Sequence, residues 1–242
     1  MKKITFILSV FFVTNILAGE QLFQQANTEY SNENYSVAIS LYDSVLTNEL
    51  ESAELYYNLG NCYYKTQEWA NAIWHYEKSL QLNSQEKTLQ NLALAKLKII
   101  DRIEPLPQLF YKKWWNSTTQ LFSTKTWQIL ALLCIGLIFI LQLLNQFTSI
   151  KNKLLLSILY LSALILLFIT HSSYTQNFVK KEGIIFTSTV TVNSAPTSNS
   201  TNLFSLHSGS KVEVIDEIGD WINIKIANGN SGWIMKNTIK EL

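Results

Sequence analysis

The sequence predicts a multidomain chain: an all-α repeat module, a two-helix transmembrane hairpin and a small all-β barrel, in that order. Three observations carry this prediction. Between Lys125 and Lys151 lie 25 uncharged residues, and between Lys153 and Lys180 another 26; roughly 20 apolar residues suffice for a helix to cross a bilayer. Residues 26–46 superimpose on residues 60–80 at a shift of 34. Beyond Glu182 the apolar period changes from helical to alternating, as strands require.

The N-terminus comes first in the chain and in insertion. Lys2 and Lys3 precede the apolar run ITFILSVFFV, and small residues follow at Ala18 and Gly19. A basic start, a short apolar stretch and a small-residue exit describe a secretory signal peptide over residues 1–18. Ile16, bulky for its place before the cleavage point, leaves an uncleaved anchor as the alternative. Either version starts the mature chain outside the cytoplasm, and two crossings return the C-terminal module to that side. The expected location is the inner (cytoplasmic) membrane, multi-pass, with periplasmic soluble domains. The basic residues agree only in part. Lys151 and Lys153 lie in the connector that this topology makes cytoplasmic, whereas Lys112, Lys113, Lys125, Lys180 and Lys181 flank the other ends.

Charge narrows the partners. Residues Gly19–Glu104 hold 6 Lys/Arg against 12 Asp/Glu, and Val179–Leu242 hold 6 of each. Neither has the basic stripe of a nucleic-acid binder, so nucleic acid drops out as a partner. Only Cys62 and Cys134 are present, one in a soluble helix and one in a span, so no disulfide framework is expected.

Within residues 19–104 the self-alignment pairs Asn27 with Asn61, Tyr30 with Tyr64, Tyr35 with Trp69, Ala38 with Ala72, Ile39 with Ile73, Tyr42 with Tyr76 and Leu46 with Leu80. A helix–turn–helix unit with this period resembles the tetratricopeptide repeat. Small residues at 26/60 and 38/72 fall where paired helices approach, and aromatics fill the gaps. Glu86–Asp101 keeps a helical period and reads as the first helix of an incomplete third repeat. The resemblance implies capture of peptide segments in a groove lined by each first helix. The matching positions are Asn27, Tyr30, Tyr57, Asn61, Tyr64, Lys65 and Asn91. An Asn amide both donates and accepts, which suits sequence-tolerant capture of a backbone. The competing reading is that Asn27 and Asn61 satisfy local helix ends.

Pro105 and Pro107 end the repeat module, and residues 105–126 form an amphipathic juxtamembrane segment. Leu109, Phe110, Trp114 and Trp115 mingle there with Lys112 and Lys113, a composition suited to the membrane headgroup layer. A cation–aromatic binding site is the alternative. The spans are expected at 127–147 and 153–172, contacting membrane lipid; a buried helical hairpin of a soluble protein is the competing possibility.

The strands of the last module, residues 183–242, are read at Ser188–Pro196, Lys211–Ile218, the WINIKI run from Trp221 and Gly232–Ile234, with Asn228-Gly229 as a hairpin turn. Five short strands in this space fit an SH3-like barrel. VTVNSAP, LHSGSKVEVID and GDWINIKIANGNSGWI resemble the bacterial SH3 (SH3b) family over nearly all of Gly183–Leu242. That resemblance points to a ligand surface at Asn193, Trp221 and Trp233, although the Trp pair can equally be core.

The order of parts, with IEPLPQLFYKKWW between repeats and spans, resembles the BatE-type proteins of the Bacteroidetes aerotolerance (Bat) operon. It implies periplasmic modules working beside von Willebrand factor A-type membrane proteins and a MoxR-type ATPase, with a link to oxidative stress. His75, His171 and His207 are scattered, and no nucleophile elbow, phosphate loop or zinc motif occurs. The expected function is therefore a non-enzymatic scaffold that recruits protein partners, without catalytic residues, cofactor or metal. The alternative is a cell-wall sensor or tether with the barrel on peptidoglycan. Transport is disfavoured, since two spans cannot enclose a pathway alone.

Overall fold

A computed structural model describes residues 19–47, 50–107, 109–147, 153–176 and 180–242. The expected signal segment and most of the connector between the spans lie outside these residues. The described chain forms two compact units, one from the residues up to Pro105 together with Lys181–Leu242, the other from Leu106–Lys180. The fold is multidomain, with helical repeats and a seven-stranded antiparallel sheet.

In the first unit residues 19–31 (α1) are helical and are followed by α2 (Tyr35–Thr47), α3 (Ala53–Lys65), α4 (Trp69–Leu82) and α5 (Glu86–Lys96). The repeat is physical as well as textual. The turns α1–α2 and α3–α4 each place a residue in the left-handed region, Glu33 and Gln67, both at φ 64° and 34 positions apart. Tyr42 donates to Asn27 Oδ1 at 2.6 Å, and its counterpart Tyr76 donates to Asn61 Oδ1 at 2.8 Å. Ala26, Ala38 and Ala72 are fully buried, and a Cβ on Gly60 would stand 2.5 Å from the Tyr76 ring, so the small residues mark close helix approach. Ser52 caps α3 by accepting from the Leu55 amide at 3.0 Å, satisfying one of the free N–H groups of its first turn. Helix α5 stops at Lys96, earlier than its period suggests; the chain through Asp101 leaves it as turn and coil.

The sheet runs β1 (Lys181–Ile185), β2 (Thr189–Asn193), β3 (Asn202–His207), β4 (Lys211–Ile218), β5 (Trp221–Lys225), β6 (Ser231–Met235) and β7 (Ile239–Glu241), in the order β3-β2-β6-β5-β4-β1-β7. Seven strands stand where five were expected; β1, β3 and β7 fall outside the runs read from the sequence, and the burial of β1 and β3 does not alternate cleanly. Gly229, at φ 91°, provides the left-handed position of the β5–β6 hairpin. Ile185, Val192, Leu206, Val212, Ile222, Ile224, Ile226 and Ile234 form the barrel core.

Repeats and barrel share one body. Ile184 of β1 belongs to the apolar cluster of Ile73, Trp74, Tyr76, Leu92 and Ala95, with Phe186 and Leu242 packed beside it. Trp74 Nε1 donates to the Glu241 carbonyl at 2.8 Å, and Lys240 Nζ lies 3.5 Å from the Trp74 ring centroid. Glu77, only 9% exposed, accepts from Lys96 at 2.8 Å and from Lys211 of β4 at 3.0 Å, while Lys211 also meets Glu182 at 2.7 Å. Asp101 accepts from the His207 amide at 2.6 Å, lies 2.7 Å from His207 Nδ1, and accepts from the Ser210 hydroxyl.

The second unit holds α6 (Phe110–Thr119), α7 (Thr124–Phe147) and α8 (Lys153–Tyr174). Helices α7 and α8 are long and apolar enough to cross a membrane, with mean hydropathies of 2.4 and 2.3 over Thr124–Asn145 and Lys153–Tyr174. Only 17% and 11% of their apolar windows are buried, unlike a hairpin enclosed in a soluble core. One end carries a polar girdle: Trp115 Nε1 donates to Ser172 Oγ at 2.8 Å, Trp127 Nε1 to the Thr119 carbonyl at 3.1 Å, and Thr124 bonds Ser173 at 2.8 Å. Phe110 and Trp114 on α6 remain exposed.

Candidate functional site

The helical repeats form a cleft of about 200 Å³ lined by Tyr30, Asn61, Tyr64, Lys65, Tyr76, Asn91 and Leu94. Of the groove positions read from the sequence, Tyr30, Asn61, Tyr64, Lys65 and Asn91 meet here, while Asn27 and Tyr57 do not line it. Asn27 instead ties helices together, its Oδ1 accepting from both Tyr42 and Asn58. Tyr57 stands behind Asn91 and carries Lys87 Nζ 4.4 Å from its ring centroid.

Hydrogen bonding fixes what each amide can offer. Asn61 Oδ1 accepts from the Tyr76 hydroxyl and from Asn91 Nδ2, both at 2.8 Å. Its two lone pairs are thereby used, so Asn61 meets a ligand as a donor through Nδ2. Asn91 Nδ2 also reaches the Tyr57 hydroxyl at 3.2 Å; both its hydrogens are spent, and its Oδ1 remains as the acceptor. The pair thus presents one donor and one acceptor, where the sequence alone suggested interchangeable Asn side chains. Burial pushes the Tyr76 hydroxyl pKa well up, with Tyr57 adding to it, so Tyr76 stays a donor. Lys65 is exposed at the rim, and the edge-on Tyr64–Trp69 pair, 5.3 Å between centroids, stiffens one wall.

The barrel offers a second surface. Trp221 and Trp233 are half-buried and alternate with the core residues Ile222, Ile224 and Ile234, so they lie on the sheet's other face. In register, Trp233 stands between Asn193 and Asn223, and Trp221 between Ile218 and Met235. Asn193 is 8% exposed beside a bulge at Val192/Asn193, so a ligand here would meet the indoles before it. Asn223 Oδ1 is buried without a hydrogen-bond partner. Ile218 and Met235 are exposed, which extends this face.

Residues 53–86 match the tetratricopeptide repeat family. Residues 188–240 match the bacterial SH3 domain. The first match covers α3, α4 and the following turn, the second spans β2 through most of β7. No curated protein sequence matches the chain.

Sequence reasoning missed Leu94 and Tyr76 in the cleft, and the whole contact between modules. Leu94 was readable: it continues the period of Asn91 on α5. Trp74, Glu77, Asp101, His207, Lys211 and Lys240 carry no joint signal, because their pairings span more than 100 positions, or nearly 20 within the repeats. Burial holds the Cys62 thiol up at about 12, the environment of a packing residue. Among the described residues no group of three His, Cys, Asp or Glu is placed to hold a metal ion.

Proposed function

We propose that this chain is a non-enzymatic, membrane-anchored scaffold that recruits protein partners through its tetratricopeptide cleft. The observation that carries the reading is the cleft, where an Asn61 donor and an Asn91 acceptor lie between Tyr30, Tyr64 and Leu94 with Lys65 at the rim. A donor–acceptor pair matches the backbone of an extended peptide, and the aromatic walls accept its side chains. Topology supports a single compartment for both soluble modules. They pack through buried contacts, and the segment joining them holds two helices fit to cross a membrane; an even number of crossings satisfies both facts. The architecture is consistent with a BatE-type role beside von Willebrand factor A-type membrane proteins in an aerotolerance complex of the inner membrane, with α6 in the headgroup layer.

The test is co-purification from native membranes in mild detergent, comparing wild type with Asn61→Ala/Tyr64→Ala and with Lys65→Glu, whose exposed side chain lies outside the packing network. Loss of the same partners in both variants, with helicity retained, is expected. Undiminished recovery excludes the cleft.

The half-buried Trp221–Trp233 pair, flanked by exposed Ile218 and Met235, favours a second reading, in which the barrel grips peptidoglycan. Full-length chain in detergent should then sediment with purified sacculi, and Trp221→Ala/Trp233→Ala should not. Failure of the wild type to sediment removes this reading.

A further inference from the structure

Helix α5 is poorly supported by its own repeats. It has 11 residues, fewer than the roughly 12–15 below which an isolated helix is marginal in water. Its buried residues are Thr88, Leu92 and Ala95, whereas Leu89 and Leu94 stay exposed. In a longer array the second helix of the third repeat would cover this flank. Here the chain turns out of the helix bundle at Leu97.

The barrel occupies the end of the stack. A Cβ on Gly209 would stand 2.4 Å from Ile99 Cγ2 and 3.4 Å from Ile73 Cδ1, so the β3–β4 turn presses directly on the exit from α5. Asp101 is held by His207 and Ser210 at the same turn. Ile103 packs against the barrel core. On the helix itself, Lys96 shares the Glu77 carboxylate with Lys211 of the barrel. Apart from the Ile73 contact on α4, these ties lie at the last residue of α5 or on the chain that leaves it, and the turns just before bear Asn91 and Leu94 of the cleft.

We propose that the docked barrel sets the cleft: it stands in for the missing helix, clamps the end of α5, and so fixes Asn91 against Asn61. Lys211, Asp101 and Glu77 are positioning residues for that site, and whatever loosens the barrel loosens the cleft. The functional meaning of this coupling rests on the cleft being the partner site, while its structural content does not.

The test is amide hydrogen exchange on the full-length chain in lipid nanodiscs. Lys211→Glu/Lys240→Glu changes only barrel residues and sets carboxylates against Glu77, Glu182 and the Trp74 face. Residues 86–101 should then exchange about tenfold faster or more, with the barrel peptides bearing Val212, Ile222 and Ile224 unchanged. Lys211→Arg/Lys240→Arg should keep the wild-type rates. Wild-type exchange over 86–101 in the Glu variant overturns the proposal. Should the double variant also loosen the barrel core, Lys240→Glu alone, on an exposed side chain, decides by the same criterion. Because the readout is amide exchange, failure here is distinct from failure to capture a partner.

Discussion

Replacing Gly60 by Ala sets two effects of opposite sign against each other. Inside a helix, Ala is favoured over Gly by about 1 kcal/mol. Against this, the new Cβ would stand 2.5 Å from Tyr76 Cδ1 and Cε1, about 1 Å or more inside ordinary carbon contact, and 3.1 Å from Cγ. Tyr76 cannot swing away at no cost. It is 1% exposed, its hydroxyl is tied to Asn61, and its ring meets Tyr57 at 6.2 Å. Overpacking of this kind costs about 1–3 kcal/mol, and a ring struck along its edge belongs near the upper limit. The net expectation is about 2 kcal/mol of destabilisation, or about 4–8 °C in melting temperature for a unit of this size. The control is Gly136→Ala in α7, where a Cβ meets nothing within 4 Å; the propensity gain should stand alone there. Thermal melts of the full-length chain followed by near-UV circular dichroism would measure both. A Gly60→Ala variant as stable as wild type, or more so, refutes the argument that Gly60 is required by the Tyr76 contact.

Acid should weaken the first unit in two stages. Burial drives the His75 pKa down from 6.5 to about 3, with Lys240 contributing, so the folded chain resists protonation that the unfolded chain accepts. Stability therefore falls as pH drops below about 6.5, by about 2 kcal/mol at pH 5, and His75→Gln should remove this limb in denaturant titrations at each pH. For Glu77, burial opposes ionisation, but Lys211 and Lys96 outweigh it and hold the carboxyl below its ordinary value. For Asp101, burial is likewise outweighed by the Ser210 and His207 hydrogen bonds. Their contribution is present above the ordinary carboxylate pKa and is lost as pH falls below about 4, where amide exchange should show the modules parting. Asp101→Ala leaves the His207 amide and the Ser210 hydroxyl without their acceptor and should cost about 1–3 kcal/mol by denaturant unfolding; Asp101→Asn, which keeps one oxygen, should lose less.

What was legible in the sequence is what depends on local period. The 34-residue shift found both repeats because Tyr42 and Tyr76, and Asn27 and Asn61, must occupy equivalent places for the same hydrogen bond to recur. Charge-free length found α7 and α8, and Asn228-Gly229 found the β5–β6 hairpin. Strand β1 escaped because KEGII buries three successive residues, which is no alternation at all. The reason is its double duty: Ile185 faces the barrel core while Ile184 faces the helices. A strand with apolar partners on both sides has no polar face to reveal its period.

The same reasoning explains why the cleft was only half legible. Residue types pointed to Asn61 and Asn91, but their orientation follows from which lone pairs and hydrogens the surrounding tyrosines consume, and that depends on tertiary placement. It also explains why an array so short can stand. Two repeats and a lone helix leave an apolar end at Ile73, Trp74, Leu92 and Ile99, and an array of this type needs a cap with a polar outer side. The barrel presents Ile184, Phe186 and Leu242 inward to that end, lays Lys240 on the Trp74 ring, and keeps Lys181 and Glu241 exposed. Each module thus supplies what the other lacks, the repeats an apolar seat for β1 and the barrel a soluble terminus for the stack. Separating them by truncation should expose both seats at once, so neither half is expected to behave as the isolated family domain that its sequence resembles.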